Sequence, residues 1–191
     1  MTALRNRYTT PAMADADRLK TLIHQKCVLH GDFVLASGAR SSVYFDCKRA
    51  TLDPEGISLI GELLWERIAG LPVEVSAVGG PTIGADPIVG HLAALSWQKG
   101  KPLAAFLVRK EAKTHGTRRF IENPPPSGSR VVIFEDVVTS GGSTLDAIRA
   151  AEESGLKVAA VFSLVDREQG GAKALAAYDY HPLFKKSEFG L

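Results

Sequence analysis

The stretch VVIFEDVVTSGGST, residues 131–144, joins an apolar run, two adjacent acids and a loop made of Thr, Ser and Gly. The run VVIF has the length of a buried strand, and GGSTLDAIRA, which follows the loop's first residues, is typical of a helix start. Two further apolar runs, PLAAFLV and VAAVFSLV, lie before and after it in the chain. Such runs suit strands that are covered on both faces, as in a parallel sheet between helices. The stretch therefore predicts an α/β fold with a doubly wound core.

The two ends of the chain follow this alternation of strands and helices less well. Residues 15–29 and 54–68 carry apolar side chains at helical spacing, and residues 33–35 and 43–45 have the composition of short strands. We predict three segments: an N-terminal helix and lobe elements over residues 1–50, the α/β core over residues 51–169, and a C-terminal lobe segment over residues 170–191.

The composition is that of a globular protein without a general affinity for anions. The 191 residues are 45% hydrophobic and 23% charged, and the formal net charge is +2. This charge gives no electrostatic reason to expect nucleic acid or a membrane as a partner. The N-terminal residues contain no continuous apolar segment, so a secretion signal is not expected. Cys27 and Cys47 lack CxxC spacing and are expected to be reduced, buried thiols of a cytoplasmic protein.

The loop after the two acids has the features of a phosphate site. Ligands of open α/β sheets bind beyond the carboxyl ends of the strands, and a helix N-terminus offers free N–H groups to an anion. Gly141 and Gly142 allow the backbone to approach a ligand, and the hydroxyl donors would be Thr139, Ser140, Ser143 and Thr144. The glycines match neither GxGxxG nor GxxxxGK[ST], which disfavours a dinucleotide site and a P-loop.

The two acids require a separate explanation, because Glu135 and Asp136 would repel a phosphate placed directly against them. Carboxylates accept hydrogen bonds from a ribose diol and stabilise positive charge that develops on the sugar ring. The pattern therefore favours a sugar phosphate as the ligand. The structural alternative is that Asp136 and Ser143 only cap the turn and the helix.

A second candidate feature is the segment KEAKTHGTRR, residues 110–119, which is predicted to be an exposed loop. Arg109, Lys110, Lys113 and His115 lie within seven residues of each other. Arg and Lys bind phosphate oxygens, and His donates a hydrogen bond or a proton as charge builds up on a leaving group. The alternative is a solvated basic loop without a ligand.

Several motifs resemble those of one enzyme family. VVIFEDVVTSGGST resembles the phosphoribosyl pyrophosphate (PRPP) signature of type I phosphoribosyltransferases, and RKEAKTHG is similar to the R-K-x-x-K-x-H-G loop of orotate phosphoribosyltransferases. LASGARSSVYFD, VGGPTIGADPI and LVDREQGG resemble further segments of the same family. The resemblance implies the type I phosphoribosyltransferase fold, in which helices flank a central, mostly parallel sheet. A small hood lobe would be formed by the first and third of the three predicted segments, and the middle segment would bind PRPP.

The resemblance also implies which residues take part in the reaction. The catalytic residues would be Lys113, His115 and Asp136. PRPP would be bound by the basic loop and the signature motif, through Arg109, Lys110, Lys113, His115, Glu135, Asp136, Val137, Val138, Thr139, Ser140, Gly141, Gly142 and Ser143. Orotate would be bound by Tyr44, Phe45, Thr139 and Arg167.

The implied reaction is the transfer of the 5-phosphoribosyl group from PRPP to orotate, which yields orotidine 5′-monophosphate and pyrophosphate in the de novo synthesis of UMP. Mg²⁺ would be carried by PRPP without direct protein ligands. The chain would form a homodimer in which the basic loop is shared across the interface. Two alternatives stay open: a phosphoribosyltransferase for another nucleobase, and a non-catalytic regulator of the same fold that binds nucleotides or RNA.

The chain departs from the enterobacterial members of the family at two places. Ala36 stands where they carry a Lys, and Ile83 and Gly84 stand where they carry a Tyr-Lys pair. Two cations that face the ligand are thus absent from their usual positions. Lys48 and Arg49 are the candidates to replace them.

Overall fold

The computed structural model describes residues 12–34, 40–110 and 120–191. Its helices are α1 (Ala12–Cys27), α2 (Lys48–Thr51), α3 (Pro54–Ala69), α4 (Asp86–Gln98), α5 (Gly142–Glu153), α6 (Gly171–Ala174) and a final 3₁₀ helix (Lys186–Phe189). Its strands are β1 (Val28–Val34), β2 (Arg40–Phe45), β3 (Ala77–Pro81), β4 (Ala104–Val108), β5 (Ile121–Glu122), β6 (Arg130–Val138), β7 (Lys157–Asp166) and β8 (Tyr180–Lys185).

Six strands form the main sheet, in the order β5-β4-β3-β6-β7-β8. β5 runs antiparallel to β4, and the other neighbouring pairs are parallel. β1 and β2 pair antiparallel in a separate two-stranded sheet. The prediction of an α/β fold with a mostly parallel central sheet flanked by helices is therefore confirmed.

The side chains of β6 alternate between two hydrophobic cores. Val132 and Phe134 pack with apolar residues of α1, α3 and α4 on one face of the sheet. Val131 and Ile133 pack with α5 on the other face. Because successive residues of a strand point to opposite faces, a strand that is covered on both sides is apolar throughout. This is the physical reason why VVIF could be assigned from the sequence.

The start of α3 is determined by its first residues. The carboxylate of Asp53 accepts hydrogen bonds from the N–H groups of Glu55 at 3.1 Å and Gly56 at 2.9 Å. Pro54 occupies the first helical position, where a missing N–H leaves no bond unmade. Lys26 of α1 also pairs with Asp53, so the first helix is held against the start of the third.

The first helix ends earlier than the sequence pattern predicts. α1 stops at Cys27 and not at residue 29, because Val28 is paired with Phe45 of β2. The N–H of Asp46 also donates a hydrogen bond to the carbonyl of Cys27 at 2.9 Å. A local helical periodicity is here overridden by strand pairing with a distant segment. Cys27 and Cys47 are buried free thiols, as predicted.

The two ends of the described chain pack against each other. The ring of Phe45 lies edge-on to that of Phe189 with 5.5 Å between centroids, and Phe184 contacts the same ring at 5.9 Å. This contact agrees with a lobe built from both ends. β8, however, lies in the predicted C-terminal lobe segment and pairs with β7 in the main sheet. The division into residues 1–50, 51–169 and 170–191 stays a prediction.

Candidate active site

Four parallel strands bring the predicted site residues to one edge of the main sheet. β3, β4, β6 and β7 run in the same direction, so their carboxyl ends lie side by side. The segments that leave these ends carry Gly84, Arg109, Thr139 and Arg167, respectively. Residues from distant parts of the sequence are thereby gathered around the signature motif.

The start of α5 has the geometry of an anion site. Gly141 adopts a left-handed conformation with φ 85°, which an L side chain rarely accepts. The helix begins at Gly142, and the first N–H groups of a helix have no partner within it. Ser140 and Ser143 are exposed beside these groups. The loop can therefore surround an anion with backbone N–H groups, as the glycine pattern predicts.

Glu135 is buried and faces α5. Its Oε2 accepts hydrogen bonds from Ser143 Oγ at 2.9 Å and Thr144 Oγ1 at 3.2 Å. Burial, together with the charge of Asp136, raises the pKa of Glu135 from 4.5 to about 8. At neutral pH the carboxyl group is thus mostly protonated. It joins β6 to the first turn of α5, which leaves the charged role in the pair to Asp136.

Asp136 points to the opposite face of the sheet from Glu135. Its Oδ1 accepts a hydrogen bond from the N–H of Val137 at 2.8 Å, and the backbone of Gly84 lies against the carboxylate. Burial raises the pKa of Asp136, and the ammonium group of Lys48 counteracts part of that rise. This carboxylate therefore lies at the carboxyl edge of the sheet with a cation in its vicinity.

The end of β6 places Thr139 next to Arg167. Val137 and Val138 are the last residues of β6 and pair with β7. The N–H of Arg167 donates a hydrogen bond to the carbonyl of Val138 at 2.9 Å, directly before Thr139. The two residues predicted to contact the orotate ring and its carboxylate are thus neighbours in the fold.

The guanidinium group of Arg167 is anchored on the β1–β2 hairpin. Its Nη2 donates to Ser41 Oγ at 3.2 Å and to the carbonyl of Val43 at 3.0 Å. The residue is only 3% exposed, and burial lowers its pKa. Its Nε is buried and has no hydrogen-bond partner among the described residues. A buried cationic donor without a partner is costly unless a ligand satisfies it.

The predicted aromatic pair is divided between two environments. Phe45 is 3% exposed and packs against Phe189 in the core. Tyr44 is 36% exposed, and its ring lies 5.4 Å from that of Phe33. Adjacent strand residues face opposite ways, so the structure leaves Tyr44, and not Phe45, accessible to a ligand.

The described part of the basic segment lies close to the start of α5. Arg109 and Lys110 line a cavity of about 570 Å³ together with Ser143 and Arg149. One guanidinium nitrogen of Arg109 lies 3.4 Å from Glu122. Lys113 and His115 lie outside the described residues. The structure thus brings two of the four predicted basic-loop residues to the phosphate loop.

Two features of the site had no clear sequence signal. Lys48 Nζ forms an ion pair with Asp46 Oδ1 at 3.0 Å, which places the Lys48 candidate in an acidic setting. Beneath the edge of the sheet, the hydroxyl of Tyr180 bonds to Ser163 at 2.7 Å and to Asp166 at 3.2 Å. The second arrangement depends on the pairing of β7 with β8, which only the fold brings together.

The donor set of the site limits how Mg²⁺ could be held there. Within the described parts of the chain, no three His, Cys, Asp or Glu side chains form a group that could hold a metal ion. Glu135 is mostly protonated at neutral pH, since its pKa is about 8. Asp136 is the carboxylate with free acceptor capacity beside the loop. This set fits a Mg²⁺ that keeps most of its oxygen ligands from a bound substrate and from water.

Known proteins resemble the chain over almost its whole length. No family model matches it. The orotate phosphoribosyltransferase of Bradyrhizobium sp. (strain ORS 278) is 41% identical over 182 residues, which cover 92% of this chain and 97% of the relative. The chain belongs to the orotate phosphoribosyltransferase family.

Solved structures of the orotate phosphoribosyltransferase family have the same fold. The Mycobacterium tuberculosis H37Rv enzyme in complex with Fe(III) dicitrate superimposes with a TM-score of 0.80 at 38% identity, over 93% of this chain and 99% of that one. The same enzyme in complex with PRPP gives a TM-score of 0.76 at 34% identity, with the same two coverages. The predicted type I phosphoribosyltransferase fold and the predicted enzyme class are confirmed.

We expect Glu135→Gln to remove a pH dependence from the stability of this family member. Unfolding returns the pKa of Glu135 from about 8 towards 4.5. Between these values the folded state holds a proton that the unfolded state has released, so stability decreases as the pH rises through this window. Gln retains an oxygen for the two hydroxyl groups but has no proton to lose. Thermal unfolding at several pH values should therefore show a Tm that falls less in the variant.

The matched control is Glu74→Gln, which removes an exposed carboxylate at the amino edge of the sheet. Its Tm should follow the wild-type dependence on pH. If the Tm of Glu135→Gln also depends on pH as that of wild type does between pH 4.5 and 8, the assignment of a buried, protonated state to Glu135 is wrong.

Proposed function

We propose that the chain catalyses the transfer of the 5-phosphoribosyl group from PRPP to orotate, with release of pyrophosphate. The bond from the anomeric carbon to pyrophosphate oxygen breaks, a bond from that carbon to a ring nitrogen of orotate forms, and the proton of that nitrogen is released. The observation that carries the proposal is the position of Arg167. Its guanidinium group is buried beside the signature loop, and its Nε has no partner among the described residues. Such a donor suits a carboxylate on a planar base.

The 5′-phosphate of PRPP is proposed to bind at the start of α5. The backbone from Thr139 to Ser143 provides N–H groups at the positive end of the helix dipole, and Gly141 allows the required turn. Glu135 supports this loop through Ser143 and Thr144. Its proposed part in PRPP binding is thus to orient hydroxyl groups.

The ribose is proposed to lie over the end of β6, with its hydroxyl groups at Asp136. We infer that the bond to pyrophosphate breaks ahead of attack by orotate, so that positive charge develops on the sugar ring. The Asp136 carboxylate would stabilise this charge in a partly buried site, where electrostatic interactions are stronger than in water. Val137 and Val138 would contribute through their backbone.

The base is proposed to lie between the hairpin and β7. Arg167 would bind the carboxylate of orotate, and Thr139 would contact the ring edge. Tyr44 is the exposed member of the predicted aromatic pair and would cover the ring. Phe45 would support the hairpin from the core through its contact with Phe189.

The departing pyrophosphate is proposed to be stabilised by cations. Arg109 and Lys110 lie next to Ser143, at the edge of the phosphate loop. Lys113 and His115 would add a second point charge and a proton donor. When bound through substrate oxygens, Mg²⁺ would neutralise part of the diphosphate charge.

The assembly and location are proposed from the family resemblance. The chain would act as a homodimer in the cytoplasm, with the basic loop shared between two active sites. No helix in the described part of the chain is long and apolar enough to cross a membrane. No partner other than PRPP, orotate and a second copy of the chain is proposed.

The function is tested by following the absorbance of orotate with the purified chain. We expect orotate to be consumed only when PRPP and Mg²⁺ are both present, with one pyrophosphate released for each orotate. Adenine, hypoxanthine and uracil serve as competing bases. Turnover of one of these bases without turnover of orotate would favour the other nucleobase alternative. Binding of PRPP without turnover of any base would favour the non-catalytic regulator.

A further inference from the structure

The loop between β3 and α4 passes directly against the carboxylate of Asp136. A Cβ atom built on Gly84 would lie 2.3 Å from Oδ1, 2.6 Å from Cγ and 2.9 Å from Oδ2 of this residue. All three distances are shorter than real Cβ contacts. The carboxylate therefore occupies the space that a side chain at position 84 would need.

Position 84 requires glycine because there is no space for a side chain, and not because of its backbone conformation. The glycines with a positive φ include Gly100, Gly128 and Gly141, but Gly84 is not among them. The φ angle of Gly84 is therefore not one that L residues rarely adopt. The requirement at Gly84 thus comes from its neighbour alone.

The carboxylate of Asp136 is restrained on its other sides as well. Its Oδ1 accepts the N–H of Val137 at 2.8 Å, which fixes the side-chain torsion. Lys48, itself paired with Asp46 at 3.0 Å, attracts the carboxylate electrostatically. The backbone of Gly84 restricts the Asp136 carboxylate on the remaining side, so the carboxylate has a defined position.

We propose that Gly84 is a positioning residue, whose bare backbone holds the Asp136 carboxylate where it meets the sugar ring. This inference rests on the proposed function, because it is Asp136 that acts on the substrate. In this chain a side chain at position 84 would displace the reacting carboxylate.

Gly80, four residues earlier, shows what a purely structural glycine looks like. A Cβ on Gly80 would lie 2.1 Å from the carbonyl oxygen of Phe134 and 2.6 Å from Cβ of Ala85. These atoms belong to a strand and a helix start, which cannot move aside. At Gly84 the neighbouring atoms end a side chain that can rotate at the cost of its hydrogen bond from Val137. A substitution at Gly84 is therefore expected to leave the fold intact and to move the carboxylate.

The test compares Gly84→Ala with Gly90→Ala and Gly80→Ala. Gly90 is exposed on α4 and has nothing within 4 Å of a built Cβ, so it is the matched control. We expect Gly84→Ala to lower kcat by roughly tenfold to 100-fold, with a smaller change in the KM for PRPP and a Tm near wild type. Gly90→Ala should keep the wild-type kcat with an equal or higher Tm, because Ala is favoured over Gly inside a helix. Gly80→Ala should lower Tm. A kcat of Gly84→Ala within twofold of wild type would overturn the proposal.

A second readout does not depend on turnover. The charged and titratable groups that interact with the Asp136 carboxyl are Lys48, Asp46 and Cys47 and, from the opposite face of the sheet, Glu135. Burial raises the pKa of Asp136, so a carboxylate displaced towards water in Gly84→Ala should titrate at lower pH, as followed by carboxyl NMR. An unchanged titration overturns the proposal, whether or not the wild type turns over orotate. If wild type is inactive but the titration shifts, the proposed function fails and the positioning contact stands.

The proposal can be tested even if the Gly84→Ala variant does not fold. If Gly84→Ala alone is unfolded, the double variant with Asp136→Ala should fold, because the smaller side chain removes the conflict at Gly84. Failure of the double variant, where Asp136→Ala alone folds, would show that Gly84 is needed by the backbone and would overturn the proposal.

Discussion

Replacement of Asp136 by Asn is expected to lower kcat by roughly 100- to 1000-fold while the fold stays intact. The carboxylate lies at the end of β6 and is partly removed from water, so its charge acts strongly on a sugar ring bound there. Asn has the same shape and can still accept the N–H of Val137 through its oxygen. It lacks only the charge, which isolates electrostatic stabilisation from packing.

Steady-state kinetics at saturating PRPP and orotate measure this effect, and thermal unfolding reports the fold. Removal of a partly buried charge should leave Tm unchanged or slightly higher, because burial disfavours the ionised form of Asp136, as its raised pKa shows. Asp17→Asn, on the exposed side of α1, is the control for the substitution itself. A kcat within threefold of wild type for Asp136→Asn would show that the carboxylate has no electrostatic part in the reaction.

Replacement of Arg167 by Met is expected to lower kcat/KM for orotate by roughly 100- to 1000-fold. Loss of charge-assisted hydrogen bonds at about 1.5–3 kcal/mol each accounts for a change of this size. Met fills a similar volume, so the packing beneath the hairpin is largely retained. The carbonyl of Val43 and the hydroxyl of Ser41 lose their donor, which makes a modest fall in Tm part of the expectation.

The diagnostic feature is the difference between the two substrates. Because the guanidinium group of Arg167 bonds to Ser41 and Val43 of the hairpin and to no residue of α5, the KM for PRPP should stay within a few-fold of wild type. Arg130→Met, at the opposite edge of the sheet, serves as the control. Equal losses for PRPP and orotate would indicate general damage to the site and would contradict the assignment of Arg167 to the base.

The strands of the core could be assigned from the sequence over most of their length, whereas the N-terminal hairpin was recognised only as short strands at residues 33–35 and 43–45. β4, β6 and β7 are apolar runs whose identity does not depend on their neighbours, because both faces are covered. β1, β5 and β8 carry mixed residues, and each is a strand only because a partner is available. The early end of α1 has the same cause. Pairing across the fold outweighs local preference where the local pattern is weak.

The candidate site, like the fold, could be predicted only in part from the sequence. The sequence alone determined the family, the phosphate loop with its glycines, and the residue types available for a sugar, a base and a diphosphate, since these depend on the order of side chains along one strand, loop and helix. Only the tertiary structure decided that Glu135 turns to α5 while Asp136 faces Gly84, and that Tyr44 is accessible while Phe45 is buried. Neighbouring strand residues point in opposite directions. Which of two adjacent side chains meets the substrate is determined by the layer that covers each face of the sheet, and no local sequence pattern records that layer.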